Sequence, residues 1–138
     1  MEANMKISKA EDEREIDTAE FRRIIRCLRY LLHTRPDLCY TVGVLSTYMH
    51  NLRNSHGQAI KHILWHVKGA TNFSLFFKRD GSKSIVGYSD ISHNIDLDAG
   101  RTMSGHVFYY GSSLITWMSQ KQQTVALSSC EAEFMAAT

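Results

Sequence analysis

Two acidic side chains, one on a predicted strand and one on a predicted helix, are the first candidates for chemistry. Asp90 closes the apolar stretch IVGYSD, and Glu133 lies in the segment SSCEAEFMAAT. A carboxylate from a strand and one from a helix are the minimal start of a site for a divalent cation such as Mg²⁺, which prefers oxygen ligands. Spacing alone leaves a plainer alternative open, in which Asp90 is a strand-end cap and Glu131 and Glu133 are solvated charges favoured by the helix dipole.

Histidines and arginines provide two further candidate sites. His62 and His66 are four residues apart, a spacing at which two side chains on one helix face can bind a metal. No acidic third ligand is spaced nearby, so surface histidines are the favoured interpretation. Arg22, Arg26 and Arg29 could hold nucleic-acid phosphates or an anionic lipid surface. A solvated helix face is favoured for them, because the formal net charge is only +2.

The elements that position these residues begin with helices. An amphipathic helix is predicted from Asp17 or Thr18, and Pro36 is expected to end it. Its apolar stripe consists of Phe21, Ile24, Ile25, Leu28, Leu31 and Leu32. A second helix is predicted from Asp37 to about His50, because apolar residues again recur at intervals of three and four.

A third helix and a last one are predicted from capping residues. Ser55 is the expected N-cap of the third helix, and Gly69 is expected to end it in a left-handed conformation. Ser128 or Ser129 is the expected cap of a C-terminal helix with acidic residues in its first turn.

Between these helices the apolar period changes to two, which indicates strands. They are predicted over residues 73–78, 84–90, 104–110 and 114–119. The dipeptide Asp80-Gly81 is a strong hairpin signal for the first pair. The sequence therefore predicts an α+β fold with N-terminal helices, an antiparallel strand meander and a terminal helix. It divides into a polar arm over 1–17, a helical part over 18–70 and a strand-rich part over 71–138.

Composition excludes several classes of protein. The chain has 138 residues, 43% of them apolar, which is enough for a buried core and argues against disorder. The cysteines Cys27, Cys39 and Cys130 are odd in number and lack C-x-x-C spacing, so neither a disulfide framework nor a structural zinc site is expected. The sequence shows no apolar leader and no run near the roughly 20 residues that span a bilayer, which predicts an intracellular protein.

Longer phrases in the sequence carry a resemblance to a known family. HTRPDLCY, GYSD and SQKQQTVALSSCEAEFMAAT stand in the order and spacing of the Pol polyprotein of Ty1/copia-type retrotransposons, which the chain resembles over roughly residues 19–138. The resemblance implies that residues 18–70 are a helical remnant of the reverse-transcriptase end. It implies that residues 71–138 are a partial RNase H-like domain, a fold that cuts the RNA strand of RNA-DNA hybrids with Mg²⁺. By position, Asp90 matches the first catalytic aspartate and Glu133 the helix glutamate, while Glu131 is the weaker match.

The sequence departs from the family pattern near both carboxylates. After the first aspartate the family has an acidic residue followed by Trp-Ala-Gly. In this chain that place is taken by Ile91, Ser92, His93, Asn94 and Ile95. Asp96 and Asp98 keep some of the acidic residues that follow in the family. The family's remaining ligands lie downstream of the glutamate, and this chain ends five residues after Glu133. The expectation is a catalytically incomplete chain with no cofactor of its own, in which the two carboxylates are vestigial.

A shorter pattern lies on the first predicted helix. Arg26, Cys27, Leu28 and Arg29 resemble the R-x-L-R host-targeting signature of secreted oomycete effectors, and the chain also resembles a member of that family. This resemblance implies secretion, entry into host plant cells and suppression of defence or cell death through an unknown host protein. Periodicity places Leu28 on the apolar helix face and both arginines outside.

Three functional hypotheses follow. The first is a retroelement-derived protein that acts without catalysis as an RxLR-type effector. The competing one is part of a metal-dependent RNase H whose partner is an RNA-DNA hybrid and whose cofactor is Mg²⁺. The third is the product of a decayed pseudogene with no selected role.

Overall fold

The computed structural model describes residues 17–79, 83–92, 103–123 and 125–137. The elements within these ranges are α1 (Thr18–Leu31), a short 3₁₀ helix (Pro36–Leu38), α2 (Cys39–Thr47), α3 (Asn54–Gly69), β1 (Ile85–Ser92), β2 (Met103–Tyr110), β3 (Ser113–Lys121) and α4 (Ser129–Ala137). This order confirms the predicted α+β arrangement of helices, antiparallel meander and terminal helix. The predicted polar arm lies outside the described residues except for its last residue.

The first helix begins where the sequence predicts. The Asp17 carboxylate accepts a hydrogen bond from the backbone N–H of Ala19 at 2.8 Å and so caps α1. The helix ends at Leu31 and not at Pro36. The Leu31 carbonyl accepts hydrogen bonds from the N–H groups of both Thr34 and Arg35, and this closes the helix before the proline is reached. Pro36 instead opens the 3₁₀ helix, a position at which its missing N–H costs nothing.

The second helix is shorter than predicted. It ends at Thr47, about one turn before His50. The Ser46 hydroxyl donates to the Val42 carbonyl and the Thr47 hydroxyl donates to the Val44 carbonyl, each at 2.7 Å. Hydroxyls bonded to carbonyls of their own helix compete with backbone bonds and weaken its last turn.

The prediction of a Ser55 cap on α3 is wrong. The helix begins at Asn54 with Arg53 as its N-cap residue. The backbone N–H of Arg53 donates to Nδ1 of His56 at 3.0 Å, so a histidine takes the part that glutamate plays in a capping box. The His56 ring is completely buried and stacks on Tyr48 with 4.7 Å between ring centroids.

The left-handed end predicted at Gly69 is also wrong. Gly69 is the last helical residue, and the N–H of Ala70 bonds to the His66 carbonyl at 2.9 Å. Among the described glycines, Gly111 alone has a positive φ, 58°. It lies in the turn between β2 and β3, where this conformation is needed to reverse the chain.

The three strands form a sheet in the order β1-β2-β3, with both pairs antiparallel. β1 pairs with β2 from Ile85 opposite Tyr110 to Ser92 opposite Met103, and the β2-β3 register shifts by one residue after Phe108. These strands confirm the predictions over 84–90, 104–110 and 114–119. Because β1 continues to Ser92, Asp90 lies inside the strand and not at its end.

The strand predicted over 73–78 is wrong, since these residues have an irregular conformation. Strand preference depends on pairing with a neighbour, and here the Lys78 N–H donates to the Ser113 hydroxyl and not to a strand carbonyl. Phe73, Phe76 and Phe77 are consequently exposed. The predicted Asp80-Gly81 turn lies outside the described residues.

Two hydrophobic clusters hold the fold together. The larger joins the first three helices through Phe21, Ile25, Leu28, Leu38, Val42, Leu45, Leu52, Ala59, Ile60 and Ile63. The smaller consists of Val44, Tyr48 and Met103 and therefore joins α2 to β2.

The sheet contacts the helices closely along α2. A Cβ atom on Gly43 would lie 3.3 Å from Cε of Met103 and 3.4 Å from the Ser119 carbonyl oxygen. The absence of a side chain at Gly43 therefore allows the α2 backbone to approach β3. The indole N–H of Trp117 donates to the Leu32 carbonyl at 2.9 Å and fixes the sheet to the end of α1.

An ion pair between the buried Arg35 and the partly exposed Asp37 links the start of α2 to the end of α3. The Arg35 guanidinium donates to both oxygens of Asp37 at 2.9 and 2.7 Å and to the Ala70 carbonyl at 3.0 Å. His66 Nε2 lies 3.0 Å from the same Asp37 carboxylate, and the Phe73 ring centroid lies 5.5 Å from the guanidinium carbon. The hydrogen bonds from Arg35 lower the pKa of Asp37 to about 2 against the opposing effect of burial.

We expect Asp37→Asn to lower the free energy of unfolding at pH 7 by about 1 kcal/mol, less than the full pKa shift implies, because solvent screens this partly exposed carboxylate. The pKa of Asp37 is lower in the folded protein, about 2, than its ordinary value of 3.8, so this stabilisation is present above about pH 4 and is lost as the pH falls towards 2. Urea unfolding at a series of pH values tests this. The exposed first-turn carboxylate of Glu20 provides a control, since Glu20→Gln loses only about 0.5 kcal/mol of helix-dipole interaction. An unchanged pH slope in Asp37→Asn would contradict the assignment.

We expect Gly43→Val to lower the free energy of unfolding by about 1–3 kcal/mol, because its methyl groups would push α2 away from Met103 and β3. Gly69→Ala is the matched control in another helix. A Cβ at Gly69 meets nothing within 4 Å, and alanine should stabilise α3 by roughly 0.5–1 kcal/mol. Equal effects of the two substitutions in urea unfolding would refute close packing at Gly43.

Candidate functional site

Asp90 lies at one end of a row that crosses the sheet, on the edge strand β1. It lies opposite Gly105 of β2, which lies opposite Ser119 of β3. The Asp90 carboxylate is exposed and accepts a hydrogen bond from the N–H of Ile91 at 2.8 Å. The backbone of β1 continues beyond Asp90 to Ser92 and is paired with β2 along this length. The Cα position of Asp90 is therefore held by the sheet.

Glu133 lies on α4, which packs against β1 and β2. Its side chain is exposed. Glu131 has a different role, because its carboxylate accepts from the Leu127 N–H at 2.7 Å while its own N–H donates to the Ser128 hydroxyl at 3.1 Å. Ser128 and Glu131 therefore form a cap at the start of α4, which makes Glu131 the weaker candidate for chemistry.

The structure places the two candidate carboxylates on neighbouring elements but does not surround them with further ligands. No group of three or more His, Cys, Asp or Glu side chains suited to a metal occurs in the part of the chain that is described. Asp96 and Asp98 lie outside that part. His66 is engaged with Asp37, and His62 packs edge-on against Trp65, which favours the interpretation of both histidines as structural or surface residues.

The R-x-L-R tetrapeptide is helical. Arg26, Cys27 and Arg29 are exposed, whereas Leu28 retains only 4% of its exposure and belongs to the larger hydrophobic cluster. The folded protein therefore presents two arginines one turn apart and not an extended four-residue motif. Both arginines line a groove of about 950 Å³ between α1, α2 and β3.

A second cavity, of about 460 Å³, lies between the start of α2 and the sheet face that carries Asp90. Tyr40, Tyr88 and Trp117 line it together with Asp90. Burial raises the pKa of the neighbouring Cys39 thiol, which keeps it in the neutral form. Sequence reasoning missed this cavity. Alternation along β1 could have placed Tyr88 on the same face as Asp90, but the contribution of Trp117 depends on the register of three strands.

Among the helices in the described ranges, none combines the length and apolar character needed to cross a membrane.

The relatives found by comparison with known proteins include proteins of two kinds, transposon polyproteins and a secreted effector. The chain is 40% identical over 118 residues to the retrovirus-related Pol polyprotein from transposon RE1 of Arabidopsis thaliana, a match that covers 86% of this chain and 8% of that protein. It is 40% identical over 106 residues to the corresponding polyprotein from transposon TNT 1-94 of Nicotiana tabacum, covering 76% of this chain and again 8% of the polyprotein. The chain thus spans a small part of these relatives.

A relative of the second kind, a secreted effector, is similar in length to this chain. The chain is 42% identical over 103 residues to secreted RxLR effector protein 161 of Plasmopara viticola, a match that covers 75% of this chain and 72% of that protein. No protein-family model matches the chain, and no solved structure matches it significantly.

Proposed function

We propose, from its similarity to retrovirus-related Pol polyproteins, that the chain belongs to the Ty1/copia-type retrotransposon Pol family and that its sheet and α4 form an RNase H-like unit of a Pol protein. The observation that carries the proposal is the position of Asp90 within β1 and of Glu133 on the helix packed against that strand. The resemblance to the family matches these two residues with its first catalytic aspartate and its helix glutamate. The reaction is metal-dependent cleavage of the RNA strand in an RNA-DNA hybrid.

Asp90 and Glu133 are ligands of the type that a magnesium ion prefers, but two carboxylates in the described part of the chain are too few to complete its coordination. Asp90 and Glu133 are exposed and offer the carboxylate oxygens that Mg²⁺ prefers. Bound Mg²⁺ would supply Lewis-acid stabilisation of charge on the scissile phosphate. Two-metal hydrolysis needs ligands on both sides of that phosphate, more than two carboxylates provide. We therefore propose that this chain does not cleave hybrids by itself and that the two residues act together with ligands from the rest of a Pol protein.

A cleavage assay on an RNA-DNA hybrid in Mg²⁺ or Mn²⁺ tests this proposal. A longer Pol protein that contains this segment should cleave the hybrid. Asp90→Asn or Glu133→Gln should each reduce the rate at least about 100-fold, since even the loss of a residue that only hydrogen-bonds a metal ligand costs about 10–100-fold. Glu131→Gln is the matched control, because its carboxylate caps α4, and it should retain most of the activity.

Two results would contradict the proposal. Cleavage of the hybrid by the present chain alone would contradict the proposal that its set of metal ligands is incomplete. Full activity of the longer protein with Asp90→Asn would remove Asp90 from the site. Circular dichroism of each variant separates loss of activity from loss of fold.

A second candidate function is that of a secreted RxLR-type effector, favoured by the relative whose length this chain largely covers. In this proposal the protein is secreted, enters a host plant cell and binds a host protein to suppress defence or cell death, with no catalysis. Arg26 and Arg29 would contribute as two exposed charges on α1 next to Cys27, since Leu28 is needed in the core.

Expression in plant cells that are challenged with a cell-death elicitor tests the effector function, and suppression of cell death is the expected result. Uptake of externally supplied protein by host cells tests the tetrapeptide. Arg26→Ala with Arg29→Ala should reduce uptake, whereas Lys61→Ala with Lys68→Ala, which removes the same charge from the exposed face of α3, should not. Absence of cell-death suppression would contradict the effector function. Equal uptake of both double variants would show that the R-x-L-R tetrapeptide has no role in entry into host cells.

A further inference from the structure

The face of the sheet that carries Asp90 contains a hollow above Gly105. Residues directly opposite one another on antiparallel strands point to the same face. Asp90 and Ser119 therefore flank Gly105, and in the neighbouring row on this face Tyr88 and Trp117 flank Val107. Because Gly105 has no side chain, the surface of the sheet between Asp90 and Ser119 is recessed.

The start of α2 covers this hollow and turns it into a cavity of about 460 Å³. Pro36 and Tyr40 approach from above, so that three aromatic residues, Tyr40, Tyr88 and Trp117, share the wall. Among the described residues that line the cavity, Asp90 is the one Asp, Glu, Lys or Arg side chain. His106 also borders the cavity, but its pairing with Ser89 and Met118 places its ring on the opposite face of the sheet.

Several contacts hold the wall in place. The Trp117 indole is fixed by its hydrogen bond to the Leu32 carbonyl, and the Tyr88 ring packs edge-on against Tyr109 with 6.1 Å between centroids. The Asp90 carboxylate is oriented by the 2.8 Å hydrogen bond from the Ile91 N–H. A wall whose rotamers are already restrained loses less entropy when a ligand binds.

We infer that this cavity binds an alkylated ammonium group, held between the aromatic rings and neutralised by Asp90. Faces of tryptophan and tyrosine attract organic cations, and cages of such rings recognise quaternary ammonium ligands. A hard divalent ion would need several oxygen ligands, whereas this cavity offers one carboxylate, with the Ser119 hydroxyl and the Cys39 thiol beside its aromatic rings. This inference uses the same Asp90 carboxylate as the proposed RNase H-like unit, but it concerns the present chain without the further metal ligands of a longer Pol protein.

Titration followed by two-dimensional NMR of the labelled chain tests the inference. Choline and N-acetyl-trimethyllysine methylamide should shift the Gly105 amide and the Trp117 indole N–H signals. The neutral carbon isostere 3,3-dimethylbutan-1-ol, which has the same shape as choline without its charge, should bind at least about fivefold more weakly. Tighter binding of choline indicates a small-molecule ligand, and tighter binding of the lysine derivative indicates a methylated protein side chain; either result supports the ammonium site.

Variants show whether the proposed residues are responsible. Asp90→Asn and Tyr88→Leu should each weaken choline binding about fivefold or more. Glu20→Gln and Phe134→Leu remove an exposed carboxylate and an exposed aromatic ring outside the cavity, and choline binding should be unchanged in both. Tyr88 is 61% exposed and Phe134 is 72% exposed, so neither substitution should unfold the chain.

Three results would overturn the inference, provided that the spectrum remains that of a folded protein. The first is equal binding of choline and its neutral isostere. The second is unchanged choline affinity in Asp90→Asn. The third is a stronger response of the same signals to MgCl₂ than to choline at equal ionic strength, which would assign the cavity to a metal.

Discussion

The hydrogen bonds of the Arg35 guanidinium fix the geometry on which both cavities depend. Arg35 lies in the turn after α1, holds Asp37 at the entrance to α2 and reaches 35 residues along the chain to the Ala70 carbonyl after α3. A buried guanidinium without these acceptors would be strongly unfavourable. The direction in which the chain enters α2 is therefore set by this ion pair, and α2 is the element that meets the sheet.

Contacts between α2 and the sheet carry this constraint to Asp90. Gly43 lets the α2 backbone approach Ser119, and Met103 fills the space beside Val44 and Tyr48. The position of α2 over the sheet determines whether the face of Asp90 is open or partly covered. In this chain the segment from Pro36 to Tyr40 lies over that face, so the surroundings of the carboxylate depend on the helical part as well as on the strands.

Sequence patterns predicted the elements well where one local signal dominates. The Asp17 cap, the strands of the meander and the Ser128 cap are such cases, because each depends on residues a few positions apart. Predictions were wrong where a distant contact decides the outcome. The phenylalanines of 73–78 favour a strand but have no strand to pair with, and His56 takes over the cap expected from Ser55 through a ring buried against Tyr48. The candidate site shows the same difference. Asp90 was predicted from local sequence, whereas the aromatic residues around it are brought together by the register of three strands.

A carboxylate fixed inside an antiparallel strand does not by itself determine which cation it binds. Its position on the backbone is rigid, but its chemistry depends on the side chains of the neighbouring rows. Several further oxygen ligands would favour a small divalent ion, because Mg²⁺ demands near-octahedral oxygen coordination. Aromatic rings in the same rows favour a large, weakly hydrated organic cation, because the ring quadrupole attracts charge without replacing a hydration shell. In this chain the rows beside Asp90 hold Tyr88, Gly105 and Trp117, so the described surroundings of the retained carboxylate favour the second kind of cation.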